Sequence, residues 1–259
     1  MQYADDATIF VSKLTSIKHV MTTINNFADV AGTKLNMSKT RGIWLGNFKD
    51  LGIRKFHGIT WTGKPVKCLG IYIGHNKEQC NKLNWDKKIE SMKQVLNKYR
   101  SHCLTLYGKV TVIKQYALSK LVFPATHLNI SIELIKEINK ICFEFLWNGK
   151  RDRVKRSSTY NPINDAGLNM INIELFFKSL KASWVTKYLS LPGKWKTILG
   201  YYCDKLCISP EYLFHMNFKT KKSFPLITHL PVFYQDVILA YNECKTVKPL
   251  NICYWSVHC

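Results

Sequence analysis

Apolar residues recur at helical spacing at Ile17, Val20, Met21, Ile24, Phe27 and Ala31, which predicts a helix with Thr15 or Ser16 as its N-cap and Gly32 as its terminator. One face of this helix should pack on a sheet. Ahead of it, Ala7 to Ser12 reads as a short apolar strand, the second half of a β-hairpin whose partner strand is expected before Met1. Thr40 to Leu45 and Gly58 to Ile73 suggest further strands, the latter broken by a Thr62-Gly63-Lys64-Pro65 turn. The opening 75 residues are therefore expected to be α+β.

After Gly74 the pattern becomes helical throughout. Ile89, Met92, Leu96 and Tyr99 mark one amphipathic helix, and Val110, Ile113, Ala117 and Leu121 a second that should stop before Pro124. A third runs from Ser131 through Ile135, Ile138, Cys142 and Phe145 to Trp147, with Gly149 ending it. Residues 150–170 open with five basic side chains in seven positions and continue with turn residues, which predicts a basic linker. Ile173, Phe177, Leu180, Trp184 and Tyr188 form another helical stripe, and residues 200–259 are a looser mixture of aromatic, Pro and Lys residues. The organisation expected is 1–75 mixed, 76–149 a helical bundle, 150–170 linker and 171–259 a helical to irregular tail.

Charge narrows the choice of partner. The 259 residues carry 38 Lys+Arg against 17 Asp+Glu, a formal net charge of +21, which favours polyanions through phosphate neutralisation and counterion release. Nucleic acid is the expected partner. No apolar run reaches the length of a spanning helix, so no membrane partner is expected, and an intracellular location, nuclear or cytoplasmic, follows from that and from the scattered cysteines. Nine cysteines without matched pairs read as reduced thiols. Cys203 and Cys207, and Cys253, His258 and Cys259, lack the spacing of a zinc site.

Residues 77–120 hold ten Lys/Arg against three Asp/Glu. Lys87, Lys88 and Lys93 are candidate phosphate contacts, as are Arg151, Arg153, Lys155 and Arg156 of the run that starts at Lys150. A solvated helix face is the alternative for the first three. Trp85, Tyr99, Tyr107 and Tyr116 stand among the lysines, either to stack on bases or to fill the core.

Asp5 and Asp6 are adjacent carboxylates expected on a tight turn, a pair able to offer oxygen to Mg²⁺ during phosphoryl transfer, although an isolated Asp-Asp pair is more commonly an ordinary solvated turn. Tyr3-Ala4-Asp5-Asp6 resembles the catalytic box of reverse transcriptases. Phe27 to Thr40, with Gly32, Leu35-Asn36 and Lys39-Thr40, resembles the following motif in the non-LTR (LINE-type) retrotransposon subfamily. Val66-Lys67-Cys68-Leu69-Gly70-Ile71 is similar to the primer-grip segment. Phe145-Leu146-Trp147, Pro162, Gly167-Leu168 and Ala182 to Trp184 look like the thumb and post-thumb region, although Ala166 stands where a second Gly is usual, and beyond about residue 195 the match is weak.

The resemblance implies the end of a palm, a truncated antiparallel sheet with one helix, followed by a helical thumb and tail. It also implies RNA-templated DNA synthesis with Mg²⁺ on an RNA template and DNA primer. Asp5 and Asp6 would be metal ligands, Lys34 and Lys39 would sit near the incoming triphosphate, and Cys68, Leu69, Gly70 and Ile71 would steer the primer end. Ordinary exposed charges are the alternative for Lys34 and Lys39, and sheet core for Leu69 and Ile71. A two-metal site needs a further carboxylate from a separate strand, expected with the fingers before Met1. By this reading the chain alone is limited to binding, and an active polymerase, a binding remnant and a decayed product all stay open.

Overall fold

The computed structural model describes residues 2–3, 6–217 and 225–246, which fall into two compact units, 1–87 and 88–259. The division lies at Lys87 and Lys88, inside one helix, and not near residue 75 where the periodicity changes. A change in hydrophobic period marks a change of element type, which need not coincide with a change of unit.

The first unit is mixed α and β. β1 (Gln2–Tyr3) and β2 (Asp6–Ala7) pair antiparallel with Tyr3 opposite Asp6, so the hairpin closes on residues within the chain and Thr8 to Ser12 is not strand. α1 (Thr15–Ala31) starts on Leu14 without a side-chain cap and ends on Gly32 at φ 64°, the left-handed conformation that glycine adopts without a Cβ penalty. Only Ile17 of its apolar stripe is buried, and Phe27 stands exposed, so the expected burial of a whole face is not found.

β3 (Arg41–Ile43), β4 (Arg54–Phe56) and β5 (Ile59–Thr62) form a sheet ordered β3-β5-β4, with β3 parallel and β4 antiparallel to β5. Its centre is aromatic. Trp44 stacks on Trp61 at 4.5 Å, and its indole N–H donates to the Gly52 carbonyl at 2.9 Å. A Cβ on Gly42 would fall 2.2 Å from the Trp61 ring, so only glycine lets that ring close over β3. β6 (Val66–Cys68) and β7 (Ile71–Ile73) make a separate hairpin.

α2 (Lys77–Arg100) carries the chain across the division, and the described remainder of the second unit is helical. α3 (Leu106–Val112) is capped by the Thr105 hydroxyl, then passes through a π turn at Ile113–Ala117 into α4 (Ser119–His127). α4 runs through Pro124 instead of stopping before it. Pro124 lies in the last turn, where its missing N–H costs one helical bond, and its ring is buried. α5 (Ile132–Leu146), capped by Ser131, buries Ile138, Cys142, Phe143, Phe145 and Leu146.

The predicted linker is folded. α6 (Arg156–Thr159) is followed by a turn in which the Thr159 carbonyl accepts from both Leu168 and Met170, and Asn161 accepts from Asn169. Ala166 is left-handed at φ 56°, and a Cβ on Gly167 would sit 2.1 Å from the Asn161 carbonyl. Backbone self-pairing, invisible in composition, turns this polar stretch into a compact loop.

α7 (Ile173–Ser190) packs on α4 and α5 and along α10 (Val232–Thr246), which explains apolar residues on more than one of its faces. With α8 (Lys196–Lys205) and α9 (Pro210–His215) these helices enclose a core of Val185, Leu199, Cys203, Leu213, Phe214, Ile227, Val237 and Ile238. The tail expected to be helical to irregular is thus helical over much of its described length.

Candidate functional site

In the first unit, Asp6 and the Cys68-to-Ile71 segment lie on two hairpins, while Lys34 and Lys39 lie apart on the loop after α1. Asp5 lies outside the described residues, and Asp6 is placed only as backbone, in β2 opposite Tyr3. Two residues after Asp6, the Thr8 hydroxyl lies 3.3 Å from the Cys68 thiol, which brings the chain leaving β2 against the tip of the β6–β7 hairpin. Cys68 and Ile71 face each other across that tip. Leu69 at φ 45° and Gly70 at φ 85° make its two-residue turn, both left-handed, the geometry of a type I′ hairpin. Glycine suits this conformation and leucine does not, so Leu69 holds an exposed apolar side chain on a strained backbone.

Asn84 fixes the same hairpin from α2. Its side-chain oxygen accepts from the Tyr72 amide at 2.7 Å and its amide nitrogen donates to the Tyr72 carbonyl at 3.0 Å, as a neighbouring strand would. Lys87 extends over the Tyr72 ring, with Nζ 5.9 Å from its centroid. Sequence reasoning missed Asn84. The available signal was a short amide in the buried run between Cys80 and Ile89, where a polar side chain needs a partner.

Lys34 and Lys39 are exposed on the loop after α1. That loop is organised by Asn36, whose side chain accepts from the Ser38 hydroxyl at 2.7 Å and the Lys39 amide at 3.2 Å, while its carbonyl accepts from Thr40. Among the described residues no group of three or more His, Cys, Asp or Glu side chains is placed to hold a metal ion, so the described residues alone do not build a Mg²⁺ site. Cys203 is buried, its thiol pushed up to about 11 by burial, while Cys207 is exposed; Cys253, His258 and Cys259 lie outside the described residues.

In the second unit the basic residues divide into engaged and open ones. Lys93 bonds Glu137 at 3.2 Å and Lys88 is half-buried. Arg156 donates to Asp152 at 2.7 Å and lays its guanidinium 4.4 Å over Phe143, so it belongs to the folded loop and not to an exposed arm. Lys150, Arg151, Arg153 and Lys155 are exposed. Among the described residues two lysines are buried outright. Lys109 donates to the Leu146 carbonyl at 3.3 Å and to Asn148 at 2.7 Å, closing the end of α5; burial, then Arg153 nearby, holds its pKa down. Lys181 reaches the Thr126 carbonyl at 3.5 Å and lies 4.4 Å over Phe233.

A further signal is plain once the helices are placed. No Asp or Glu occurs between Glu90 and Glu133, an interval that holds six Lys/Arg. This stretch comprises the end of α2, α3, the π turn and α4. Tyr107, Tyr116 and Phe123 project from it and are exposed. Trp85 instead is buried, and Tyr99 is half-buried against Tyr116.

Over 261 residues the chain is 24% identical to the transposon TX1 uncharacterized 149 kDa protein of Xenopus laevis. The chain is similar to a transposon protein. That similarity covers 95% of this chain and 19% of the relative's length, and it supports a retrotransposon-derived origin. No protein-family model matches the chain. Among the described residues no helix is long and apolar enough to cross a membrane.

Proposed function

We propose that this chain is the part of a LINE-type reverse transcriptase that runs from the catalytic hairpin through the primer grip into the thumb, and that it holds a DNA primer on an RNA template. The observation that carries the reading is the 3.3 Å approach of Thr8 to Cys68, which joins the chain just after Asp6 and Ala7 to the Cys68-to-Ile71 hairpin tip. A polymerase needs that proximity, because the primer's 3′ hydroxyl must meet the nucleotide's phosphate at the carboxylates. In this reading Asp5 and Asp6 contribute to a Mg²⁺ site that neutralises phosphate charge, with Lys34 and Lys39 toward the triphosphate. Leu69, exposed and strained, meets the primer end.

A second reading, nucleic-acid binding without catalysis, is favoured by the acid-free interval between Glu90 and Glu133. Both readings put nucleic acid on the second unit, and only the first requires Asp5 and Asp6.

The test is RNA-templated primer extension with Mg²⁺ by the 259-residue chain, alone and supplied with the remainder of the TX1 relative's polypeptide. The chain alone should bind a primer–template without extending it. The combination should extend, and an Asp5→Ala, Asp6→Ala double variant should not. Binding that never yields extension in any combination would leave the second reading in place of the first.

A further inference from the structure

The outward face of α4 and the π turn ahead of it present rings and one cation in a row. Tyr116, Lys120, Phe123 and His127 are spaced i, i+4, i+7 and i+11, which puts them along one side of a helix. Tyr116 is 51% and Phe123 45% exposed, far from the burial these side chains take in a core. Each ring is braced by another aromatic. Tyr99 from α2 lies 5.6 Å from Tyr116 at an interplanar angle of 31°, and His127 lies 4.6 Å from Phe123 at 42°. The His127 ring is in turn within hydrogen-bonding distance of the Phe123 carbonyl at 2.9 Å, which fixes its position.

We infer that this face is a stacking platform for unpaired nucleotides: Tyr116 and Phe123 take bases on their open sides, and Lys120 between them takes a phosphate. At 1.5 Å per residue the two rings stand about 10.5 Å apart along the axis, roughly three base steps at 3.4 Å. The occupant is set by charge and shape together. An interval without Asp or Glu gives a basic peptide no carboxylate partner from this stretch, and rings standing out of the surface suit exposed base faces better than a duplex, whose bases are already stacked. The π turn contributes geometrically: the Leu118 amide bonds the Ile113 carbonyl at 2.9 Å, five residues back, so Tyr116 stands within a widened turn and is rotated relative to a regular helix. This inference rests on the nucleic-acid reading above and specifies which nucleic acid the second unit grips and with which groups.

The experiment uses the full chain and fluorescence anisotropy with a labelled oligouridylate of about 12 nucleotides and an RNA/DNA hybrid of equal length, over a salt series. Removing both rings in Tyr116→Ala, Phe123→Ala should weaken single-strand binding by roughly 30-fold or more and leave the salt slope unchanged, because stacking releases no counterions. Hybrid binding should change less than about threefold, since a duplex offers no open base face. Tyr116→Phe with Phe123→Tyr should retain parental affinity, which separates loss of stacking from loss of fold. Lys120→Gln should flatten the single-strand slope by about 0.7. Unchanged single-strand affinity in the double-alanine variant would overturn the inference, as would equal losses on single strand and hybrid. A ring variant that alters only self-association in sedimentation would overturn it too, marking the face as a contact between copies. If the parent binds neither probe at low salt, the nucleic-acid reading itself fails; if it binds the hybrid and not the oligouridylate, only the stacking platform does.

Discussion

Lys181 is 5% exposed, and its ammonium has the Thr126 carbonyl at 3.5 Å and the Phe233 ring at 4.4 Å for company. Burial holds its pKa down from 10.5 to about 8, with Asp236 pulling part of the way back. At 1.36 kcal/mol per pH unit, that displacement corresponds to roughly 3 kcal/mol against keeping the proton in the folded chain. The sign follows from proton counting. Below about pH 8 the amine is protonated in both the folded and the unfolded chain, so the full cost of the buried charge weighs on the fold. From about pH 8 to 10.5 the unfolded chain still binds a proton that the folded chain has released, so this group makes stability rise with pH. Lys181→Met keeps the stem and removes the charge. The Thr126 carbonyl is not orphaned by it, because the Trp184 indole N–H also donates there at 2.8 Å. The variant should therefore be more stable than the parent at pH 7.5 by about 1–3 kcal/mol, with the advantage gone by pH 10.5. Guanidinium unfolding of both proteins across that range measures it, and subtracting the curves cancels every other titrating group. A difference that does not vary with pH, or a variant less stable than the parent at pH 7.5, would refute the reasoning.

Lys109 should behave in the opposite way although it too is buried: Lys109→Met leaves Leu146 and Asn148 without their donor at the end of α5 and should cost about 1–3 kcal/mol in the same unfolding assay. Ala166→Gly should raise stability by about 1 kcal/mol, since the left-handed φ of 56° penalises a Cβ, and thermal melts would show the midpoint moving up. Asn84→Leu should free both backbone groups of Tyr72 and cost about 1–3 kcal/mol, with hydrogen exchange at the Tyr72 amide speeding up more than at Trp44, whose partner is the Thr62 carbonyl.

Periodicity located most helices because their buried faces obey it: Met92 and Leu96 in α2, Ile138, Cys142 and Phe145 in α5, and Phe177 in α7 are all interior. Gly32 and Gly149 read as terminators and are left-handed there, at φ 64° and 75°. Local rules failed where tertiary partners decide. Pro124 sits inside α4, α1 begins without its expected Thr or Ser cap, and the 150–170 stretch closes on itself through backbone bonds that composition cannot reveal. The candidate site was legible as motifs and their order, not as geometry. A type I′ turn is normally announced by Asn-Gly, so Leu69-Gly70 gave no warning of its conformation, and the contact of Thr8 with Cys68 spans 60 residues. Lys109 and Lys181 looked like any other lysine, because burial of a charge depends on acceptors supplied by distant helices.

The proposed role of the hairpin tip at Cys68-Leu69-Gly70-Ile71 is to receive the end of a primer. It is tested most directly by cross-linking a DNA primer that carries a photoreactive 3′-terminal base, annealed to an RNA template, to the full chain, followed by peptide mapping. Cross-links concentrated in residues 66–73, competed by unlabelled primer–template and reduced when Leu69 is replaced by Gly, are the predicted result. Cross-links that map to the exposed lysines and arginines of 150–155, with none in 66–73, would contradict it.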